Sequence, residues 1–213
     1  MAELAPHGDH SKKKTIYASE RGRPDVVRAR ERFQRRRRRW PPCKLVFVDE
    51  SGVNLSLTRA EAWAPRGERV VATVPGRRWE NYTLIAALRT SGVEAPMLLP
   101  GAMNALALRV WVRDCLAPRL KRGDIVVWDN LGIHGDLESR GHIEARGATL
   151  EFLPPYSPEF SPIEPAFGKA KTLLRGIGAR TWRRLITATG RVLQAITPRD
   201  CKGWFRHCGY PEK

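Results

Sequence analysis

Lys44-Leu45-Val46-Phe47-Val48-Asp49 (KLVFVD) and Asp124-Ile125-Val126-Val127-Trp128-Asp129 (DIVVWD) are the two stretches that decide the fold. Each is a short apolar run rich in β-branched and aromatic residues. Each reads as a buried strand with a carboxylate at its end. Carboxylates at the C-terminal ends of neighbouring buried strands point into one crevice. A turn residue after a strand is the plainer explanation of either Asp taken alone. A third acid, Glu164, follows Ser161-Pro162-Ile163 at the start of an expected helix, where it would also complement the helix dipole. Close carboxylates without compensating charge repel one another, and divalent cations relieve that cost. Glu50, Asp124, Asp136 and Glu159 compete with these three, and composition does not choose among them.

Outward from the two strands, Glu68 to Val74 reads as a second strand, closed by Pro75-Gly76. Tyr82 to Leu88 reads as a third, with Ala95 to Leu99 as a short extension. Asn104 to Leu116 has apolar residues at helical spacing and Asn104 as an N-cap. Leu137 to Ala145 is a helix ended by Gly147, and Thr149 to Leu153 is a strand. A proline-rich loop, Pro154 to Pro158, delivers the helices Ile163 to Leu174 and Thr181 to Ile196. Consecutive early strands imply antiparallel pairing, and late strand-helix-strand units imply parallel pairing. The class is α/β: a mixed central β-sheet with helices on both faces. This is the element order of the ribonuclease H-like fold, and other α/β folds share it.

The chain has 213 residues, enough for one domain plus tails. Its formal charge of +16 is too basic for a typical metabolic enzyme and implies a polyanionic partner. The excess is uneven. Residues 11–40 hold thirteen Lys and Arg against three acids, including the run Arg35, Arg36, Arg37, Arg38 and Arg39 before Trp40-Pro41-Pro42. Residues 26–33 alternate in a way compatible with a helix, which the two prolines would end. Residues 1–42 therefore read as a basic N-terminal arm or linker that contacts DNA, and residues 43–213 as the folded domain. A solvated linker is the alternative. Apolar runs are too short to span a bilayer, and no secretory signal precedes the first strand. The four cysteines have no paired spacing, which fits a reducing compartment. The spacing of Cys201, His207 and Cys208 matches no zinc pattern.

The surrounding residues choose among the acids. Asp129 to His134 (DNLGIH), Phe152 to Pro158 (FLPPYSP) and Ser161 to Glu164 (SPIE) closely resemble the catalytic core of DDE transposases. The branch they resemble is that of the bacterial insertion-sequence relatives of the mariner superfamily. Val46 to Gly52 (VFVDESG) resembles the strand that carries that family's first Asp. Asp129 and Glu164 are separated by 34 residues, the spacing of this branch. Trp63 to Gly67 (WAPRG) and Phe205 to Tyr210 (FRHCGY) resemble two further segments. The resemblance runs from about residue 12 to the end of the sequence.

The resemblance implies that Asp49, Asp129 and Glu164 are a metal-binding catalytic triad for Mg²⁺, with Mn²⁺ as a substitute and two ions in the site. It implies double-stranded DNA as partner, both transposon ends and target, and one in-line displacement used first by water and then by a freed 3′-hydroxyl. It implies a homodimer on DNA, because two ends must be joined, and a cytoplasmic, nucleoid-associated location. Asn130 and His134 lie in the matching motif. His134 would orient a water, a phosphate or a carboxylate, or close the loop structurally. Lys169, Lys171 and Arg175 follow Glu164 at helical spacing and offer a basic face to a phosphate backbone, or a solvated one to water. Many relatives carry Asn where this chain has Ser161, whose hydroxyl would replace the amide in capping. Only about forty residues precede the first strand, too few for the helix-turn-helix modules of such transposases. The expectation is a truncated copy, or one frame of a split element whose other product supplies those modules. The rival reading is a non-catalytic DNA-binding remnant that competes with, or joins, full-length copies.

Overall fold

In the computed structural model, residues 18–59, 61–73, 80–129 and 136–210 are described. The sheet has five strands in the order β3-β2-β1-β4-β5. These are β1 (Leu45–Asn54), β2 (Asn81–Arg89), β3 (Gly92–Pro100), β4 (Ile125–Trp128) and β5 (Thr149–Phe152). The pairs β1–β2 and β2–β3 are antiparallel, and β1–β4 and β4–β5 are parallel. This is a ribonuclease H-like fold, with the mixed sheet expected from the element order.

Both faces of the sheet are covered, which is why the central strands read as unbroken apolar runs. Leu45 and Phe47 of β1, Leu84, Ala86 and Leu88 of β2, and Val127 of β4 share one core. That core is closed by α4 (Ile163–Ile177) and α6 (Pro198–His207). The alternate residues Val46, Val48, Ile85, Ala87, Val126 and Trp128 face the other way. They meet α2 (Ala105–Trp111), continued by a π-helical stretch Val112–Leu116, and α3 (Leu137–Glu144). A third cluster packs α5 (Trp182–Gln194) on Val53 and Tyr82 at the far end of the β1–β2 hairpin. Asn104 caps α2 as expected, accepting from the Ala107 N–H at 2.9 Å. No helix among the described residues is long and apolar enough to cross a membrane.

Two expectations need correction. Glu68 to Thr73 form no strand and are exposed; Val74 lies outside the described residues. β1 and β2 pair directly, Asn54 with Asn81, so residues 68–73 are not inserted between them. Val70 and Val71 have strand propensity but stay exposed, and β-propensity acts only through packing. The third strand is instead the supposed extension, which runs the full length of Gly92–Pro100.

Ahead of the sheet, α1 (Pro24–Arg37) buries Val26 and Phe33, seven positions apart on one face. Phe33 stacks on Phe160 with ring centroids 5.6 Å apart and joins the main core. The helix lies in the segment read as an arm, yet one of its faces is core.

Candidate active site

The parallel pairing of β1 with β4 stops at Val48–Trp128, whereas the antiparallel pairing of β1 with β2 continues to Asn54. β1 therefore outruns β4. Asp49 lies inside its strand, not at the end where the sequence placed it, and Asp129 follows the last residue of β4. The expected crevice exists all the same, because Asp49 is the first residue of β1 left without a β4 neighbour. Strand alternation puts Asp49 on the face of Leu45 and Phe47, beneath α4. Glu164 is the second residue of α4 and is exposed. Asp49, Asp129 and Glu164 line one cleft of about 410 Å³, walled by the proline-rich loop from Leu153 to Pro158.

Acidic groups crowd one another here. Burial, followed by the nearby Glu164 charge, pushes the Asp49 carboxyl up from 3.8 to about 7. The Glu50 N–H donates to Asp49 Oδ1 at 2.8 Å and opposes the shift. Burial, then the charge of Asp129, pushes Glu50 up to about 7. Three of the four competing acids, by contrast, have structural employment. Asp124 is buried and paired with Arg89 at 2.6 Å. Asp136 caps α3 and pairs with Arg109 at 2.7 Å. Glu159 pairs with Arg21 at 2.8 Å and with Arg30. Among the described residues neither Asp49, Glu50 nor Glu164 has a Lys or Arg partner. Crowded carboxylates that line one cleft, with Asp49 pushed up in pKa, are the donor set that hard divalent cations fit. Among the described residues no three His, Cys, Asp or Glu side chains are already drawn together as ligands of one ion.

The wall of the cleft is braced from α1. Arg30 Nη1 donates to the Tyr156 carbonyl at 3.3 Å and to Ser157 Oγ at 2.5 Å. Its other terminal nitrogen meets Glu159. Arg37 lies over the rings of Phe160 and Tyr210, 4.4 and 5.2 Å from their centroids, and donates to the Cys208 carbonyl at 2.6 Å. The Tyr210 hydroxyl donates to the Phe160 carbonyl at 2.9 Å. The loop that leads into Glu164 is thus held by α1 on one side and by the segment after α6 on the other.

Residues 44–186, about two thirds of the chain, match the family model described as DDE superfamily endonuclease. The chain belongs to that family. No curated protein matches it. Among solved structures, the chain resembles a pre-cleavage Mos1 transpososome at 18% identity, covering 95% of this chain and 64% of that one, with a TM-score of 0.71. It resembles the mariner Mos1 paired-end complex with Mg at 18% identity, covering 96% and 64%, with a TM-score of 0.71. The catalytic domain of Mos1 mariner transposase gives 17% identity, coverage of 92% and 91%, and a TM-score of 0.59. These likenesses show the fold. The endonuclease spans just under two thirds of the first of these chains.

Of the residues expected to serve the endonuclease, Asp49, Asp129 and Glu164 share one cleft, and Asn130 and His134 lie outside the described residues. Lys169 is bound to Asp200 of α6 at 2.7 Å, on a different face of α4 from Glu164. Lys171 and Arg175, seven and eleven positions after Glu164, stay on its side of the helix. Ser161 is buried and does not cap α4, whose N-cap is Pro162. The arginine run divides: Arg37 turns inward, Arg36 pairs with Glu151 at 2.7 Å, and Arg35, Arg38 and Arg39 are exposed. Sequence reasoning missed the bracing role of Arg30 and left Glu50 undecided. The seven-residue spacing of Val26 and Phe33 was the available sign that α1 has a buried face.

Proposed function

We propose that this endonuclease is the catalytic domain of a transposase from the bacterial insertion-sequence branch of the mariner superfamily, with Asp49, Asp129 and Glu164 as its metal-binding catalytic triad. The observation that carries the reading is the convergence of these three acids on one cleft. The competing acids Asp124, Asp136 and Glu159 are neutralised by arginine, while the triad faces one cleft with raised carboxyl pKa at Asp49. That the related Mos1 complexes were solved with Mg and with Mn supports a divalent cation here.

Asp49, Asp129 and Glu164 would hold the ions, two in number, and Mg²⁺ or Mn²⁺ would supply Lewis-acid stabilisation of the phosphoryl oxygens and activation of the attacking oxygen. The protein's own part is positional. β1 and β4 fix two carboxylates on a rigid sheet, and α4 brings the third. The braced proline-rich wall shapes the cleft in which a phosphodiester lies in line with its nucleophile. Hydrolysis by water, followed by attack of the 3′-hydroxyl on target DNA, uses the same geometry twice. Burial and the Asp129 charge disfavour ionisation of Glu50, and a cation held beside Asp129 would relieve that cost. Within the chain, residues 43–213 carry the catalytic unit and residues 1–42 the basic segment. The reading extends to a homodimer on DNA, a helix-turn-helix product from a separate reading frame and a nucleoid-associated location in the cytoplasm.

The test is nicking of supercoiled plasmid with Mg²⁺ or Mn²⁺, comparing the protein with its Glu164→Gln variant. Metal-dependent nicking that disappears in the variant is the expected outcome. Absence of nicking with either metal, with DNA binding intact, would sink the reading in favour of a non-catalytic remnant.

A further inference from the structure

Three concavities run together on one side of the molecule. The catalytic cleft shares Leu153, Pro154 and Pro155 with a second groove of about 460 Å³, whose opposite wall is α1 with Arg32, Arg35 and Arg36. That groove shares Arg35 and Arg36 with a third of about 330 Å³, which ends on Arg39 and Trp40. We propose that this is one track, and that it takes a single polynucleotide strand leading away from the catalytic cleft along α1 to Trp40. The proposal rests on the nuclease reading above for the identity of the strand.

Helical geometry sorts the basic residues of α1 into two sets. Arg30, Phe33 and Arg37 recur at three and four positions and turn inward against the proline-rich loop and Phe160. Arg32, Arg35 and Arg36 lie on another face and, with Arg39 just beyond the helix end, line the two outer grooves. Arg36 is tied to Glu151 yet remains more than half exposed. Arg32, Arg35 and Arg39 are exposed and have no acidic partner among the described residues. A row of unpaired guanidinium groups along a narrow concave path attracts a polyanion and releases its counterions. Each groove has the volume of a small-ligand site, which suits one strand better than a duplex. Trp40 at the end is half-buried, held edge-on by Phe33 with centroids 5.4 Å apart and planes at 84°. An indole fixed beside arginines is a stacking platform for any base, whatever the sequence. Continuity with the cleft favours a strand of the DNA being cut over an acidic peptide.

The test uses the full chain and its Arg32→Ser/Arg35→Ser/Arg39→Ser variant. Fluorescence anisotropy with a labelled oligothymidine and with a blunt duplex is followed over a salt series. The control is Arg199→Ser/Lys202→Ser/Arg206→Ser, which removes three charges from the groove on α6, with no lining residue shared with the track. The track variant is expected to lose about 10–100-fold in oligothymidine affinity and to lower the slope of log K against log salt by about 2. Its melting temperature should match the parent, because the three side chains are exposed. The control and the duplex should be much less affected. Unchanged oligothymidine binding, an equal loss in the control, or a larger loss for duplex than for single strand would each overturn the track. Plasmid nicking separates the two readings. Glu164-dependent nicking with unchanged oligothymidine binding in the track variant overturns the track alone. Lost binding without nicking by the parent overturns the nuclease alone.

Discussion

Replacing Asp49 by Asn is expected to raise the stability of the metal-free protein while abolishing cleavage. The Asp49 carboxyl is pushed up from 3.8 to about 7, chiefly by burial and then by Glu164. The folded state therefore binds this proton more tightly than the unfolded chain does. The resulting stabilisation is complete below pH 4 and is lost as pH rises through about 7. A shift of roughly three pH units bounds the penalty of the ionised form at about 4 kcal/mol near pH 8, and water in the open cleft lowers it. Asn keeps the shape of the side chain and, through its amide oxygen, the acceptor for the Glu50 N–H. In a domain of this size about 1 kcal/mol moves the melting temperature by roughly 2–4 °C, so a gain of several degrees is expected at pH 8 in chelator. The assay is calorimetry of both proteins from pH 5 to pH 8, with chelator and then with Mn²⁺. The gap between variant and parent should open as pH rises, and Mn²⁺ should close it by stabilising only the parent. A variant that melts below the parent at pH 8 in chelator, or a gap indifferent to pH, would refute the assignment of Asp49 as a strained metal ligand.

Phe33→Ala removes a buried ring stacked on Phe160 and edge-on to Trp40. It should cost about 3–5 kcal/mol in denaturant unfolding and lower nicking through the loosened loop. Arg30→Ala removes three contacts to the cleft wall but little core. It should slow nicking about 10–100-fold at near-parental melting temperature, and a loss of stability matching the loss of rate would argue against a positioning role. Arg89→Ala strands the buried Asp124 and also frees Glu94. Unfolding should show a loss of about 3–5 kcal/mol, with a smaller loss when Asp124→Asn is added. Gly209→Ala places a methyl group 2.8 Å from the Arg37 guanidinium at a φ of +83°. A loss of about 1–3 kcal/mol is expected, read in the same way.

The parts of the fold legible in the sequence are those where burial on both faces leaves no ambiguity. β1 and β4 are apolar without alternation because each separates two cores. The run from Glu68 to Val74 carries similar residue types, but local propensity does not say whether an edge is free to receive it. α6 was missed because Gly203 and its charged residues blur the period. The signal present was its capping box, in which Thr197 and Asp200 satisfy each other's backbone groups. The three acids that line the cleft stand in motifs legible in the sequence, yet the strand end expected at Asp49 was not there. How far β1 outruns β4 depends on pairing that no single segment encodes. The partner of Lys169 is hidden for the same reason, since Asp200 lies 31 residues away on another helix.

The bracing of the cleft wall joins residues that are remote along the chain. Arg30 and Ser157 are 127 positions apart, and Arg37 and Cys208 are 171 apart. Contacts of such span are won late in folding, after the entropy of closing a long loop has been met. α1 touches the sheet through few buried residues, so it belongs to the low end of the opening free energies that hydrogen exchange resolves. Its amides should exchange ahead of those of β1 and β4. Each such excursion removes one wall of the catalytic cleft while the carboxylate-bearing sheet persists. The cleft is thereby the last part of the molecule to be completed and the first to open.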